Sequence, residues 1–163
     1  MKIAIIGAGS IGLLFAALLK QAFPLTLYTR TKEQAEEINR NGIVVKKNGL
    51  HITSNVNALP IAEYRGMEDL TIVTVKQYQL QEVIALINKS QGKKEGILFL
   101  QNGMGHLELL PNVLSDNVFV GSVEHGAYKE NPFTVCHRGE GLTKLAVFKG
   151  NNELLTELAK EAF

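Results

Sequence analysis

Residues 3–12 read Ile-Ala-Ile-Ile-Gly-Ala-Gly-Ser-Ile-Gly, and this stretch decides the fold. Its first four residues, Ile3 to Ile6, form a continuous apolar run, as expected for a strand that is buried on both faces. Residues 7–12 fit the pattern G-x-G-x-x-G, and from there on apolar residues recur at helical spacing. A strand that runs through this pattern directly into a helix is the context that a dinucleotide-binding turn requires.

Each glycine of the pattern has a mechanical task. Gly7 allows the tight turn, Gly9 lets the backbone approach a pyrophosphate, and Gly12 lets the helix pack close to the strand. The free N–H groups at the helix N-terminus then face the phosphates. We therefore predict a pyrophosphate site made of Gly7, Ala8, Gly9, Ser10, Ile11 and Gly12. The alternative is a strand–helix turn that uses glycine only for its geometry.

The end of the second predicted strand indicates which dinucleotide binds. An NAD site usually has Asp or Glu there, whereas this strand ends at Arg30 and the first carboxylate is Glu33. A guanidinium can bind a 2′-phosphate through charge-assisted, bidentate hydrogen bonds. Thr29 and Thr31 could add hydroxyl donors, and Lys32 could add charge. The pattern therefore favours NADP(H) over a solvated arginine at a strand end.

The rest of the chain alternates between strand and helix periods, which is typical of a parallel α/β sheet. Further strands are predicted at Leu25–Thr29, Ile43–Ile52 (a hairpin about Asn48-Gly49), Leu70–Val75, Ile97–Leu100 and Val118–Val123. Further helices are predicted from a Thr31 cap to Asn41-Gly42, through Leu80 to Ile87, around Leu107–Leu114 and over Leu154–Phe163. We predict one domain, residues 1–163, with a Rossmann-like, doubly wound, mainly parallel sheet. Antiparallel strands are expected in its C-terminal part, between Gly126 and Phe148.

Composition excludes several other classes of protein. The chain has 163 residues, 45% of them hydrophobic, and a formal net charge of +1. That balance argues against a disordered chain and gives no sign of a nucleic-acid partner. No apolar run is long enough to span a bilayer, so no membrane partner is expected. The single cysteine, Cys136, fits a reducing cytoplasm, where we expect the protein to reside.

Two polar residues are predicted to follow strands at the edge of the sheet where ligands bind. Lys76 follows the apolar strand that begins at Leu70, and Asn102 follows the strand that begins at Ile97. The glycine after Asn102 would let a ligand approach the backbone closely. The simpler interpretations are a surface lysine and a turn asparagine.

Several segments together resemble the ketopantoate reductase (2-dehydropantoate 2-reductase) family. They are the N-terminal GAGSIG, Arg30, Thr74-Val75-Lys76-Gln77, Gln101-Asn102-Gly103-Met104-Gly105 and Gly121-Ser122-Val123-Glu124-His125-Gly126-Ala127. The resemblance covers nearly the whole chain. The Asn102-to-Gly105 segment discriminates best, because the glycine pattern alone is shared by many dehydrogenases.

The resemblance implies NADPH-dependent reduction of the small 2-oxo acid 2-dehydropantoate to pantoate, on the route to pantothenate and coenzyme A. Gly7 to Gly12 would hold the pyrophosphate and Arg30 the 2′-phosphate. Lys76 and Asn102 would lie near the nicotinamide ribose, with Asn102 also binding substrate. The backbone at Ala127 would touch the cofactor.

The general acid of the family is a lysine in a helical C-terminal domain, and that domain is absent from these 163 residues. We therefore assign no catalytic residue, although Lys76 is the local candidate by position. The chain is expected to be the cofactor-binding half of a two-domain enzyme and inactive alone. Alternatives are a stand-alone NADP-binding or redox-sensing module, or a reductase of another branched 2-oxo acid. A methyltransferase suits the complete glycine pattern less well.

The four histidines predict no metal site, because His51, His106 and His137 are too scattered in sequence. His125, at a strand end, could shuttle a proton, but a hydrogen-bonded structural role is favoured for it. The sequence makes no prediction about oligomeric state.

Overall fold

The computed structural model of the chain describes residues 1–103 and 105–162. The strands are β1 Ile3–Ile6, β2 Leu25–Thr29, β3 Ile43–Lys47, β4 Leu50–Ser54, β5 Asn57–Pro60, β6 Leu70–Val73, β7 Gly96–Leu100, β8 Asn117–Val123, β9 Gly126–Asn131, β10 Thr134–Gly139 and β11 Thr143–Lys149. The α-helices are α1 Ser10–Leu19, α2 Lys32–Asn41, α3 Leu80–Lys89 and α4 Glu153–Ala162. Short 3-10 helices cover Ile61–Glu63, Gln77–Gln79 and Leu107–Asn112. No helix within the described ranges has the length and apolar character needed to cross a membrane.

The main sheet has seven strands in the order β11-β8-β7-β6-β1-β2-β5. Every neighbouring pair is parallel except β11 with β8, which is antiparallel. The chain builds outward from β1 in both directions, through β2 to β5 and through β6 to β8. This order confirms the predicted Rossmann-like, doubly wound sheet, and it creates a crevice at the carboxyl ends of β1 and β6.

The core lies on both faces of this sheet because successive side chains of a strand point to opposite sides. Ile3 and Ile5 join the cluster that includes the buried faces of α1 and α4. Ala4 and Ile6 join the opposite cluster, which includes the buried face of α3. All four side chains have no exposed surface. The continuous apolar run that opens the sequence is therefore a central strand covered on both faces.

A second sheet, in the order β4-β3-β10-β9, packs on α1. The predicted hairpin turn at Asn48-Gly49 is confirmed, with φ of 50° and 77° at the two residues. The predicted C-terminal antiparallel strands are divided between the sheets: β9 and β10 form the second sheet, and β11 returns to the edge of the first. Strand β10 also pairs with β3 in parallel, joining residues 134–136 to residues 44–46.

Strand β5 was not predicted, because four residues that include Asn57 and Pro60 give no strand-like period. Tertiary contacts hold it at the sheet edge. The Asn39 side chain on α2 accepts a hydrogen bond from the Ala58 N–H and donates one to the Ala58 carbonyl oxygen, both at 2.8 Å. These two bonds satisfy backbone groups that an edge strand would otherwise leave open.

One predicted helix differs from the structure in type, and one predicted strand differs in where it ends. The α-helix predicted around Leu107–Leu114 is a 3-10 helix, Leu107–Asn112, with Pro111 inside it. Proline lacks the N–H that an α-helix needs at that position. The strand predicted to reach Val75 ends at Val73, because the chain turns into the 3-10 helix at Gln77. Of the last predicted helix, Phe163 lies outside the described residues, and α4 covers Glu153–Ala162.

Candidate cofactor site

A cavity of about 420 Å³ lies at the carboxyl ends of β1, β2 and β6, where the strand order reverses. Its walls include residues of the glycine-rich turn, of the β2 end and of the segment after β6, together with one residue of β9. The predicted site residues that line it are Gly7, Ala8, Gly9, Arg30 and Lys76. Of the glycine pattern, Ser10, Ile11 and Gly12 continue into the first turn of α1.

The glycine-rich turn has the geometry expected from its sequence. Gly7 has a φ of +114°, a conformation that side chains rarely allow. A Cβ on Gly12 would lie 1.7 Å from the Gly7 carbonyl oxygen, so α1 can pack this closely only with glycine there. A Cβ on Gly9 would meet no protein atom within 4 Å. Gly9 is therefore free of packing constraints and leaves open space in the cavity wall.

Thr74, directly after β6, holds the turn from the neighbouring strand. Its hydroxyl donates to the carbonyl oxygen of Gly7 at 2.9 Å, and its backbone N–H donates to that of Ile6 at the same distance. The Gly7 N–H donates to the Tyr28 carbonyl oxygen at 3.0 Å. Strands β2 and β6 thus fix the turn from both sides, and this role of Thr74 was missed by the sequence analysis.

The N-terminus of α1 is a suitable anion site. Gly9 is its N-cap, and the first intrahelical bond runs from the Leu13 N–H to the Gly9 carbonyl oxygen at 2.9 Å. The first-turn N–H groups of Ser10, Ile11 and Gly12 therefore have no intrahelical partner. No acidic residue lies in this turn to neutralise the positive end of the helix dipole.

Arg30 lies exposed at the end of β2 and lines the cavity. The neighbouring residues that were predicted to add donors or charge for a phosphate make other contacts in this structure. The Thr29 hydroxyl donates to the Thr31 carbonyl oxygen at 2.7 Å, while the Thr31 hydroxyl caps α2 by accepting from the Gln34 N–H. Lys32 pairs with Glu36 on the helix surface at 3.6 Å. That these residues add donors for a phosphate stays a prediction, because the Thr31 hydroxyl can still donate its own hydrogen and the Lys32 side chain is exposed.

The remaining charges that line the cavity are Lys76, Lys129 and Glu82. With Arg30, three cationic side chains face one carboxylate. Burial lowers the pKa of Lys129 below its usual value. A cavity that combines a glycine turn, a free helix N-terminus and an excess of cations fits an elongated ligand carrying phosphates.

Gln34 and Lys129 were missed by the sequence analysis, and both bind the glycine-rich turn. The Gln34 amide donates to the carbonyl oxygens of Ala8 at 3.0 Å and Pro132 at 2.9 Å. The Lys129 ammonium donates to the same Ala8 oxygen at 3.2 Å. A signal for Lys129 was present, because alternation along β9 places it on the same side as Ala127, which the resemblance had singled out.

Besides Ser10, Ile11 and Gly12, the predicted site residues Asn102 and Ala127 lie outside the cavity wall. Asn102, after β7, accepts a hydrogen bond from the Val123 N–H at the end of β8, at 3.3 Å. Ala127 in β9 pairs with His137 of β10. Two of the segments that carry the resemblance do meet, since a Cβ on Gly105 would lie 2.2 Å from the Gln77 amide nitrogen. Met104 of that motif lies outside the described residues.

Two histidines lie side by side, His125 directly before β9 and His137 within β10. His125 Nδ1 lies 3.2 Å from His137 Nε2 and accepts a hydrogen bond from the Gly141 N–H at 3.3 Å. Burial, and then the neighbouring His137, lowers the pKa of His125. Across residues 1–103 and 105–162, no three His, Cys, Asp or Glu side chains are grouped so as to hold a metal ion.

The chain is similar to known proteins both in sequence and in structure. A family model described as ketopantoate reductase PanE/ApbA matches residues 3–150. The 2-dehydropantoate 2-reductase of Listeria innocua is 41% identical over 97% of this chain and 54% of its own length. The crystal structure of the probable 2-dehydropantoate 2-reductase of Bacillus subtilis superposes with a TM-score of 0.92 at 38% identity, over 100% of this chain and 55% of that one.

A second kind of enzyme has a similar structure. The ternary structure of D-mandelate dehydrogenase with NADH and anilino(oxo)acetate gives a TM-score of 0.87 at 27% identity, over 99% of this chain and 54% of that one. The chain spans about half the length of the curated relatives it matches.

Proposed function

Because this chain belongs to the ketopantoate reductase family, we propose that it supplies the cofactor-binding half of an NADPH-dependent 2-dehydropantoate 2-reductase. The observation that carries the cofactor assignment is the end of β2, where Arg30 lines the cavity in the position that NAD-binding folds usually give to a carboxylate. The family and its named relatives support the substrate assignment.

The chain's own residues divide the binding work. Gly9 leaves the cavity wall open, and the N–H groups of Ser10 and Ile11 are available to the pyrophosphate. Arg30 offers its guanidinium to the 2′-phosphate. When bound, the nicotinamide cofactor supplies the hydride that reduces a ketone. Lys76, Asn102 and Ala127 remain predicted contacts for the nicotinamide half and the substrate, as the resemblance implies.

Arg30→Ala tests the cofactor assignment. Since a hydrogen bond to a charged group contributes about 1.5–3 kcal/mol, NADPH affinity should fall roughly ten- to a hundredfold, with NADH affinity nearly unchanged. Isothermal titration calorimetry measures both. Arg40→Ala, at the exposed end of α2, is the matched control because it removes the same charge outside the cavity. A similar loss for both cofactors would show that Arg30 serves the fold and not the 2′-phosphate.

A reductase of another 2-oxo acid is the second candidate, favoured by the likeness to D-mandelate dehydrogenase. That enzyme was solved with NADH, so the two candidates differ in cofactor as well as in substrate. Following NADPH and NADH oxidation with 2-dehydropantoate, and with aromatic and other branched 2-oxo acids, separates them. The best substrate pair should be NADPH with 2-dehydropantoate in the protein that carries the remaining half.

For these 163 residues alone, we expect NADPH binding with little or no turnover, because the family's general acid has no assigned counterpart among them. Rapid steady-state oxidation of NADPH by the chain alone would overturn that expectation and place a proton donor within it. NADPH binding by the full-length protein without turnover of any 2-oxo acid would instead favour a binding or redox-sensing module.

A further inference from the structure

Lys129 is placed in the cofactor cavity by the second sheet. It lies on β9, half-buried, and its ammonium donates to the Ala8 carbonyl oxygen of the glycine-rich turn at 3.2 Å. An ammonium has three N–H donors and this contact uses one of them. The other two remain available to a ligand in the cavity that Lys129 lines.

Lys129 differs from the other lysines of its sheet in having no acidic partner. Lys46 pairs with Glu130 and Lys47 with Glu140, whereas within the described part of the chain no carboxylate forms an ion pair with Lys129. Glu130, its neighbour in sequence, points to the other face of β9. Burial alone lowers the pKa of Lys129, with no carboxylate opposing the shift.

A half-buried cation with no counter-charge has lost part of its hydration, and an anion bound in the cavity would offset that loss. Among the described residues, the ammonium hydrogen-bonds to a single carbonyl oxygen, an acceptor that a neutral donor would also satisfy. The position of Lys129 therefore points to a ligand that brings negative charge into the cavity.

The neighbours of Lys129 indicate which part of that ligand it meets. Gln34, in the first turn of α2, donates to the same Ala8 oxygen, and Arg30 precedes this helix by two residues. Both Arg30 and Lys129 line the cavity. The two cations thus enter the same cavity from different sheets, Arg30 from the end of β2 and Lys129 from β9.

We propose that Lys129 is a second ligand of the cofactor's 2′-phosphate, so that Arg30 and Lys129 bind it from two sides and together set the preference for NADP(H). This inference rests on the proposed NADP(H) binding. It makes β9, which lies outside the dinucleotide-binding sheet, a determinant of cofactor specificity. The Ala8 carbonyl oxygen fixes the lysine in place before the cofactor arrives.

Adenosine 2′,5′-bisphosphate and 5′-AMP test this directly, because they differ only in the 2′-phosphate and need no catalysis. Their affinities are measured by calorimetry for the wild-type chain, Lys129→Met and Lys129→Arg, with Lys20→Met as the control for net charge. Lys20 is exposed at the end of α1 and does not line the cavity. In Lys129→Met, the bisphosphate should bind roughly ten- to a hundredfold more weakly, and AMP should change by less than about threefold.

Lys129→Arg should recover much of the bisphosphate affinity, since a guanidinium also binds phosphate, and Lys20→Met should match wild type. Equal losses of both ligands in Lys129→Met, or no loss of either, would overturn the inference. Lys129→Gln, which keeps a donor for Ala8, provides a second neutral variant if the methionine chain folds poorly. A wild-type chain that binds both ligands equally would contradict the proposed cofactor itself, whereas a preference for the bisphosphate that is undiminished in Lys129→Met contradicts only this inference.

Discussion

Gly12→Ala should separate the packing role of the glycine pattern from its binding role. The added methyl would lie 1.7 Å from the Gly7 carbonyl oxygen and 2.8 Å from the Thr74 hydroxyl, whereas ordinary contacts begin at 3.4 Å. The first obstacle is backbone, so α1 and β1 must move apart by more than an ångström. Overpacking of this kind costs about 1–3 kcal/mol, occasionally more, and the better helix propensity of alanine returns up to about 1 kcal/mol. Because that obstacle is backbone, we take the upper end of the overpacking range and expect a net loss of about 2 kcal/mol in the free energy of unfolding.

Urea denaturation followed by circular dichroism measures this loss in the free energy of unfolding. In thermal denaturation of a chain of this size, a loss of 2 kcal/mol lowers Tm by about 4–8 °C. Gly9→Ala is the matched control. Its φ of −81° accepts a side chain and its Cβ would touch no protein atom within 4 Å. It should keep wild-type stability to within about 0.5 kcal/mol, while its methyl group narrows the approach to the pyrophosphate and weakens NADPH binding.

A Gly12→Ala chain that unfolds at the wild-type midpoint would show that the strand–helix contact tolerates a side chain, which contradicts the packing role of Gly12. A Gly9→Ala chain that binds NADPH with unchanged affinity would show that the open space at Gly9 has no part in cofactor binding.

Two further predictions concern the sheet edge and the histidine pair. Asn39→Ala should lower the free energy of unfolding by about 1–3 kcal/mol, because both backbone groups of Ala58 lose their partner. Hydrogen exchange at the Ala58 amide should become faster, and unchanged exchange at that amide would contradict the predicted role of Asn39. Wild-type stability should fall as the pH drops from about 7 to 5, because the pKa of His125 is lowered in the folded chain and the unfolded chain takes up the proton more readily. His125→Gln should reduce that pH dependence in urea denaturation, and an unaltered slope would place its origin elsewhere.

Features encoded in neighbouring residues could be predicted from the sequence. The strand and turn at residues 3–12 needed only an apolar run and three glycines. The α2 cap at Thr31 and the hairpin turn at Asn48-Gly49 each depend on a few adjacent residues, and the structure confirms both. Arg30 follows β2 as its sequence position predicted and lines the cavity there, while its contact with a 2′-phosphate stays a prediction.

Features that depend on distant partners could not be predicted. Strand β5 exists because β2 and Asn39 supply its hydrogen bonds, and its own residues carry no period. The same limit applies to Lys129, whose partner Ala8 is distant in sequence. Its neighbour Ala127 was singled out through the resemblance alone, and strand alternation would have extended that expectation to Lys129.

The parallel pairing of β10 with β3 has a consequence for the order in which the protein can form during synthesis. Residues 44–46 emerge from the ribosome long before residues 134–136, which complete their edge. Until then the β3–β4 hairpin is a two-stranded ribbon, marginally stable at best, and the β3 edge that β10 covers has no strand beside it. Central strands of the first sheet can pair earlier, so the second sheet closes only after β10 has been made. A nascent chain that stalls before Thr134 would present that hairpin, unprotected, to the chaperones of the cell.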